Sequence, residues 1–101
     1  MKTIHKYPLT DDELISGSLK TIAEFTIAMH HDAIILHFAM QRDTPTIWAL
    51  VDTTKTMEDH HFVVVGTGKE IMFDTDEYVF IGTTMTFSHS VVVHLFEKVT
   101  E

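Results

Sequence analysis

The chain has 101 residues, a length that predicts a single domain. Hydrophobic residues make up 45% of it, which argues against intrinsic disorder as its main state. Fifteen acidic residues against seven lysines and arginines give a formal net charge of −8, and the basic residues are scattered along the sequence. Because a nucleic-acid polymer is held by several cations on one face, this distribution argues against DNA or RNA binding.

The sequence contains no cysteine, so it offers neither disulfide bonds nor thiolate ligands for a metal. No basic start leads into an apolar run, and no stretch approaches the roughly 20 apolar residues of a membrane-spanning helix. We therefore expect neither a signal peptide nor membrane insertion, and the composition fits a reducing cytosol.

The start of the chain contains one predicted strand and one ambiguous segment. Residues 4–9 read as a strand, and Pro8, which lacks an amide hydrogen, places it at the edge of a sheet. Residues 10–13 (Thr-Asp-Asp-Glu) have the spacing of a capping box, and Gly17 suits the end of a single helical turn. An acidic loop over residues 10–21 is equally compatible with this stretch.

A period of two in hydrophobicity predicts the next two strands. Apolar residues alternate from Ala23 to Met29, which is typical of a strand with one buried face. Residues 30–32 and 42–45 have the composition of turns. Between these turns the alternation predicts a strand with one apolar face (Ile34, Leu36, Phe38, Met40) and a second face (Ile35, His37, Ala39, Gln41).

Residues 46–53 (Thr-Ile-Trp-Ala-Leu-Val-Asp-Thr) form the strand around which we expect the fold to be organised. The strand holds the only tryptophan, Trp48, and both of its alternating faces are apolar. Such a strand is covered on both sides, either by a core on each side or by a core on one side and a partner on the other. Short links predict that it forms an antiparallel meander with the two preceding strands.

The second half of the chain is predicted to add three strands. Residues 53–59 are polar and predict a loop, whereas residues 62–65 predict a central strand that ends at the following Gly-Thr-Gly. Residues 69–78 predict an acidic connection whose apolar anchor (Ile71, Met72, Phe73) rests on the domain or on another subunit. Strands follow at residues 79–87 and 91–96, with a turn at 88–90. In the first of these, alternation predicts one face of Val79, Ile81, Thr83, Met85 and Phe87, and another of Phe80, Gly82, Thr84 and Thr86.

The predicted fold class is mainly β, a small antiparallel sandwich or partly open barrel of about six to seven strands with little helix. We expect one all-β domain over residues 1–101. Three of its strands are apolar on both faces, which is more two-sided burial than a chain of this size needs. One explanation is a tight two-layer core with outward-facing apolar residues tolerated. Since large exposed apolar patches usually mark interfaces, a homo-oligomer is the favoured explanation.

Five motifs occur in order along the chain, at residues 4–9 (IHKYPL), 47–52 (IWALVD), 66–68 (GTG), 78–83 (YVFIGT) and 94–97 (HLFE). Together they resemble a family of small tailed-phage and prophage proteins that is classed as a domain of unknown function. The resemblance covers nearly the whole chain, but residues 11–20 are longer than in the family and residues 30–32 replace a Pro-Glu-Gly-type turn. It implies a phage origin and action in the host cytoplasm, and it carries no catalytic residues.

Eight histidines raise the question of a metal site. The weak candidates are His30, His31, His60 and His61, if the two turns that carry them share one end of the fold. Adjacent histidines on a strand point to opposite faces, so each pair supplies about one ligand to a given site. No HExxH spacing occurs, and exposed turn histidines are the favoured interpretation. We expect no metal and no cofactor.

The stretch Gly66, Thr67, Gly68 and Lys69 is similar to part of a phosphate loop, but it lacks the Walker spacing and a following helix. A tight bend is the favoured role of its glycines, and a backbone nest for phosphate is the alternative. No nucleophile, base and orienting group can be named together anywhere in the sequence. We therefore predict that the protein is not an enzyme.

These considerations predict a non-enzymatic phage accessory protein, a counter-defence binder that sequesters a small nucleotide signal or a host defence protein. A nucleotide would lie in a pocket between subunits, near the glycines Gly66 and Gly68. Its base would stack on an aromatic ring and its phosphate would meet a cation. The predicted rings are Trp48, Phe62, Tyr78 or Phe80, and the predicted cations are Lys6, Arg42 or Lys69. The alternatives are a virion structural or assembly accessory protein and a metal-dependent hydrolase that uses the histidines.

Overall fold

The computed structural model describes residues 1–9, 22–42, 44–86 and 91–99, so the predicted elements at 10–21 and 88–90 lie outside the described residues. Within these ranges no helix is long and apolar enough to cross a membrane. The described elements are seven strands and one 3-10 helix. They are β1 (Lys2–Pro8), β2 (Ile22–His30), β3 (Ile34–Gln41), β4 (Thr44–Asp52), β5 (Met57–Gly66), the 3-10 helix Thr75–Glu77, β6 (Tyr78–Thr86) and β7 (Val91–Lys98).

The strands form two antiparallel sheets that lie face to face. Sheet A has the order β1-β4-β3, and sheet B has the order β2-β5-β7-β6. The two sheets do not close into a barrel, so the prediction of a small antiparallel sandwich is confirmed. Among the described strands β1 pairs with β4 alone, which confirms the edge position that Pro8 predicts.

One buried cluster fills the space between the two sheets. From β4 it includes Ile47, Ala49 and Val51, which are at most 1% exposed. From sheet B it includes Phe62 of β5 and Leu95 of β7. The alternation of apolar residues therefore explains why these segments are strands, because every second side chain is buried in the core. Burial of one large apolar side chain contributes roughly 1.5–3 kcal/mol.

The predicted meander of β2, β3 and β4 is wrong in its first connection. β3 and β4 form the expected hairpin, but β2 pairs with β5 in the other sheet, from Ile22 opposite Val65 to His30 opposite Met57. The link after β2 crosses from sheet B to sheet A, with Asp32 in the left-handed conformation at a φ of 63°. Because β2 supplies pairing partners along its whole length, β5 begins at Met57, and the predicted loop at 53–59 is shorter than expected.

A β-bulge in β3 changes which side chains reach the core. The register shifts between Ile35 and His37, so Leu36 is an extra residue in the strand. Phe38 is buried as predicted, whereas Ile35 packs against the core and Leu36 is 48% exposed. The predicted faces are therefore wrong for the residues before the bulge. Strict alternation takes no account of an inserted residue, and the insertion reverses the faces on one side of it.

A second bulge has the same effect in β6. The register shifts between Phe80, which lies opposite Phe96, and Gly82, which lies opposite the buried Leu95. Phe80 therefore points away from the core, and Gly82 points toward it. The prediction that these two residues share a face is wrong.

Only one of the two apolar faces of β4 is covered by the core. Ile47, Ala49 and Val51 are buried between the sheets, whereas Trp48 and Leu50 point away from sheet B and are half-buried. Of the two arrangements predicted for this strand, the structure has a core on one side. The other side belongs to the outer surface of sheet A.

The connection after β5 contains the predicted apolar anchor. The ring of Phe73 lies 4.6 Å from that of Tyr78 and 5.8 Å from that of Phe96 between centroids. The anchor therefore rests on the domain itself through Phe73, whereas Met72 is 82% exposed. Asp74 caps the start of the 3-10 helix, where its carboxylate accepts a hydrogen bond of 2.9 Å from the amide of Asp76.

We expect Ile47→Ala to lower the free energy of unfolding by about 2–5 kcal/mol, because the fully buried side chain leaves a cavity in the core. Urea unfolding measures this change. Ile4→Ala is the matched control, since Ile4 lies in the same sheet at 57% exposure and should change stability by about 0.5 kcal/mol or less. Equal effects of the two substitutions would contradict the described faces of sheet A.

Candidate functional site

The residues predicted to bind a ligand lie on two separate surfaces. Lys6 and Trp48 pair in the register of β1 and β4 on the outer side of sheet A. Arg42 follows β3 at its hairpin and has a positive φ of 55°. The second group belongs to sheet B and its connections: Tyr78, Phe80, Gly66, Gly68 and Lys69. Since the two sheets turn their outer sides in opposite directions, one chain does not bring both groups into one site.

The outer face of sheet A is apolar and exposed. We define it by the outward residues Lys2, Ile4, Lys6, Ile34, Leu36, His37, Trp48 and Leu50. Ile4 and Ile34 are each 57% exposed. The ring of His37 lies 6.0 Å from that of Trp48, and the Lys6 ammonium donates to Gln41 Oε1 at 3.0 Å across the face. The surface thus combines an aromatic ring, aliphatic side chains and a positioned cation.

A cleft of about 370 Å³ lies at one end of this face. We call it the end pocket, and its lining residues are Lys2, His31, Asp32, Ile34, Leu50, Val51, Asp52 and Lys55. They come from the start of β1, the link before β3, the end of β4 and the turn after β4. Aliphatic side chains and charged groups therefore share one concave surface, which is the usual form of a small-molecule site.

Hydrogen bonds between the turns hold the end pocket together. The amide of His31 donates to the carbonyl of Thr56 at 2.8 Å, and the ring Nδ1 of His30 lies 2.8 Å from the carbonyl of Lys55. The amide of Thr53 donates to the carbonyl of Met1 at 2.9 Å. These contacts join the start of β1 and both turns, so the pocket has fixed walls.

One carboxylate oxygen of Asp52 already has partners within the protein. Its Oδ1 accepts from the Thr54 hydroxyl at 2.6 Å and from the Thr54 amide at 3.0 Å, and the ammonium of Met1 lies 3.4 Å away. The Thr54 hydroxyl, followed by the Thr54 amide, lowers the pKa of Asp52 to about 2. By contrast, neither Lys2 nor Lys55 forms an ion pair among the described residues.

A chain of histidines and carboxylates leads from the pocket into the sandwich. His31 Nδ1 lies 2.9 Å from Glu58 Oε2, and His60 Nε2 lies 3.3 Å from Glu58 Oε1. His60 Nδ1 in turn lies 2.7 Å from Glu97 Oε2. His60 Nε2 is buried, and its contact with Glu58 lacks the geometry of a hydrogen bond. The turn after β2 is therefore joined to β5 through Glu58.

The first pair in this chain changes the protonation of its members. The hydrogen bond with Glu58 raises the pKa of His31, and the charge of Asp32 raises it further. The same hydrogen bond lowers the pKa of Glu58. Both side chains are exposed, so solvent weakens the pair. The pair therefore favours the charged imidazolium over the neutral ring at the rim of the end pocket.

The four histidines considered as metal ligands are only partly brought together. His31 and His60 both contact Glu58, whereas His61 lies on the opposite side of β5 with its Nδ1 3.0 Å from the hydroxyl of Thr26. His30 contacts the backbone of Lys55 instead. Within the described ranges, no three histidine, aspartate or glutamate side chains are arranged to hold a metal ion.

Sheet B carries a second aromatic surface. Phe80 and Phe96 contact each other with ring centroids 5.5 Å apart, and Phe96 also contacts the anchor Phe73. Tyr78 and Lys98 line a shallow groove of about 260 Å³. Phe62, one of the rings predicted to stack on a base, is 2% exposed and belongs to the core. It is therefore not available to a ligand.

The glycine stretch after β5 forms a turn. The amide of Lys69 donates to the carbonyl of Gly66 at 3.2 Å, and Gly68 has a φ of 85°. Glycine suits that backbone conformation, because a side chain there would be strained. This geometry fits the predicted tight bend.

The sequence did not predict that Lys2 and Lys55 line the same pocket. Both lysines are exposed, and one begins β1 while the other follows β4, so nothing in the local pattern relates them. The register of β1 against β4 brings them together, because Lys2 lies opposite Asp52. The one sign in the sequence was the predicted loop at 53–59, which contains Lys55.

The fold and the site define a two-layer antiparallel β domain with an amphipathic outer face. The family model for the domain of unknown function DUF7352 matches residues 1–101, and the chain therefore belongs to this family. No curated protein and no solved structure matches the chain. That a domain of unknown function covers the chain is confirmed, whereas the phage origin and the five motifs of the resemblance stay predictions.

We expect Glu58→Gln to lower the pKa of His31 toward its ordinary value, because the substitution removes the hydrogen-bonded charge. A raised pKa stabilises the fold below the unfolded-state pKa of His31, and this stability is lost as the pH rises through the folded-state pKa. As the pH rises between the unfolded-state and folded-state pKa of His31, the variant should therefore lose less stability than the wild type. Proton NMR titration of His31 and urea unfolding at several pH values measure both effects.

Asp59→Asn is the matched control for Glu58→Gln, because Asp59 is the next residue of β5 and points to the other face. It should leave the titration of His31 unchanged. A His31 pKa that stays the same in Glu58→Gln would contradict the described contact.

We expect Thr54→Val to raise the pKa of Asp52 above about 2, because the hydroxyl that donates to its carboxylate is removed. A lowered pKa stabilises the fold above the unfolded-state pKa of Asp52, and this stability is lost as the pH falls through the folded-state pKa. NMR titration of the Asp52 carboxyl measures the change. Thr53→Val, which removes a hydroxyl bonded to Met1 instead, should leave the Asp52 pKa unaltered.

Proposed function

We propose that this domain is a non-enzymatic phage accessory protein that acts in the host cytoplasm as a counter-defence binder and sequesters a small nucleotide signal. The observation that carries the proposal is the outer face of sheet A, where Trp48 and exposed aliphatic side chains adjoin a pocket with two lysines. The motifs that resemble tailed-phage proteins support the phage setting. The binding class is supported by the surface itself.

Several features of the outer face suit a planar ligand. Trp48 is half-buried, so its ring is held in place while part of its surface stays open. Stacking of a nucleobase on an aromatic ring is typically worth about 1–3 kcal/mol. Lys6 lies beside Trp48 in the register and supplies a cation within the same face. These residues provide the ring and the charge that a nucleotide requires.

Self-association fits the same face. A soluble monomer rarely exposes a contiguous apolar surface of this kind, so a second copy is expected to cover part of it. Pairing of two copies about a twofold axis would place two Trp48 rings and two sets of lysines around a shared ligand. A homo-oligomer would thereby compensate for the low number of basic residues in each chain.

A host defence protein is the second target, and one observation favours it. Ile4, Ile34 and Leu36 are about half-exposed on a sheet surface that extends beyond the end pocket. Apolar surfaces of this kind commonly bind proteins. Loss of capture of a defined defence protein by Ile4→Glu, with retention by Met85→Glu on sheet B, would support this target.

A role as a virion structural or assembly accessory protein remains the alternative proposal from another class. Mass spectrometry of purified particles distinguishes it from counter-defence. Abundant protein in the virion would support the structural role, and its absence from particles would favour the binder.

We expect a nucleotide from a panel of cyclic oligonucleotides and ADP-ribose derivatives to bind in titration calorimetry, and Trp48→Leu to weaken that binding by about 1–3 kcal/mol. Leucine keeps the apolar volume but removes the stacking ring. Phe80→Leu is the matched control, because Phe80 is 55% exposed on sheet B. No heat and no thermal shift with any member of the panel would exclude the nucleotide as the target.

A further inference from the structure

The end pocket and Trp48 form one continuous surface. Leu50 lines the pocket and lies two residues from Trp48 on the same side of β4, which corresponds to about 7 Å along the strand. Ile34 lies opposite Leu50 in the register of β3 and β4, so the two aliphatic side chains form a common floor. A ligand that occupies the pocket would therefore reach the neighbourhood of the only tryptophan.

The two carboxylates that line this pocket contact nitrogen groups of the protein itself. Asp52 Oδ1 lies 3.4 Å from the Met1 ammonium, and Asp32 Oδ1 lies 3.2 Å from His31 Nε2. Lys2 and Lys55 are exposed and form no ion pair among the described residues. The charged groups of the pocket without an ion pair among the described residues are therefore the two lysine ammonium groups, which suit an anion.

We propose that the end pocket binds the anionic group of a small organic phosphate through Lys2 and Lys55, with the organic part packed on Ile34 and Leu50 toward Trp48. The proposal rests on the nucleotide version of the proposed function and deepens it, because it gives the phosphate a place. The cations are different from Lys6, Arg42 and Lys69, which the sequence predicts for this role.

The walls of the pocket favour such binding because they are fixed before the ligand arrives. The two turns and the start of β1 are joined by backbone hydrogen bonds of 2.8–2.9 Å. The backbone carbonyl of Lys55 is also held by the ring of His30. Binding therefore requires ordering of the two lysine side chains and little rearrangement of the backbone.

His31 at the rim makes the expected binding dependent on pH. The groups that face it are Glu58 of β5, Asp32 of its own turn, Lys55 of the turn after β4, and Lys2 and Asp52 across the pocket. An anion in the pocket interacts favourably with the protonated ring, so binding should strengthen as the pH falls through the pKa of His31. High salt should weaken it through screening.

The test uses the fluorescence of Trp48 in the full chain, with calorimetry as the second measurement. The probes are adenosine monophosphate, inorganic phosphate and uncharged adenosine. Adenosine monophosphate should bind and quench Trp48, inorganic phosphate should compete with it, and adenosine should bind at least about tenfold more weakly. Binding of adenosine as strong as that of adenosine monophosphate would overturn the phosphate assignment.

The double variant Lys2→Gln/Lys55→Gln should weaken binding of adenosine monophosphate by about tenfold or more, and Lys2→Arg/Lys55→Arg should restore most of it. Lys98→Gln on sheet B is the matched control and should change affinity less than about twofold. Thermal melting verifies that all variants fold. The substituted lysines are exposed, so the fold should persist.

Two results separate this inference from the proposed function. If nucleotides bind the wild type and the double glutamine variant equally well, the end pocket is not the site, and sequestration of a nucleotide stands. If neither the panel nor adenosine monophosphate binds the wild type, the nucleotide function and the pocket fail together, and the host defence protein becomes the target.

Discussion

Burial of the inward faces of β4 and β5 is the constraint on which the rest of the structure depends. Each is an inner strand of its sheet, and the shared core contains Ile47 from one and Phe62 from the other. β1 and β3 attach to β4, and β2 and β7 attach to β5. The described core lies between the two sheets, so it covers one side of β4, and Trp48 and Leu50 on the other side belong to the outer surface of sheet A. The candidate binding face follows directly from this arrangement.

The sequence was sufficient for the fold class because hydrophobic alternation is a local property. It located the strands around Trp48 and Val64 and placed Pro8 on an edge strand. The sequence was insufficient where the pairing of strands sets the geometry. The bulges at Leu36 and between Phe80 and Gly82 insert residues that only the partner strand makes visible. The crossing of the chain after β2 likewise depends on β5, which lies far along the sequence.

The candidate site was less predictable than the fold for a related reason. Trp48 and Lys6 were identified from their residue types, and the register places them side by side. The end pocket, by contrast, combines Lys2, His31 and Lys55 from three separate turns or strand ends. Single residues of common type in turns carry no periodic pattern, so their convergence becomes apparent only after the sheets are assembled. The shared Glu58 between His31 and His60 is of the same kind, although the sequence had left open that those two segments share one end of the fold.

The pairing of early strands with late ones has a consequence for how the protein is made. Lys2 lies opposite Asp52, and Ile22 lies opposite Val65, while β5 gains its second neighbour only from β7 at the end of the described chain. During synthesis on the ribosome, β1 and β2 therefore emerge well before their partners exist. Contacts between residues so distant in sequence close slowly, so the growing chain carries unpaired strands for much of its translation. In a cell where many copies are synthesised at once, nascent-chain chaperones would be the first proteins that this domain meets.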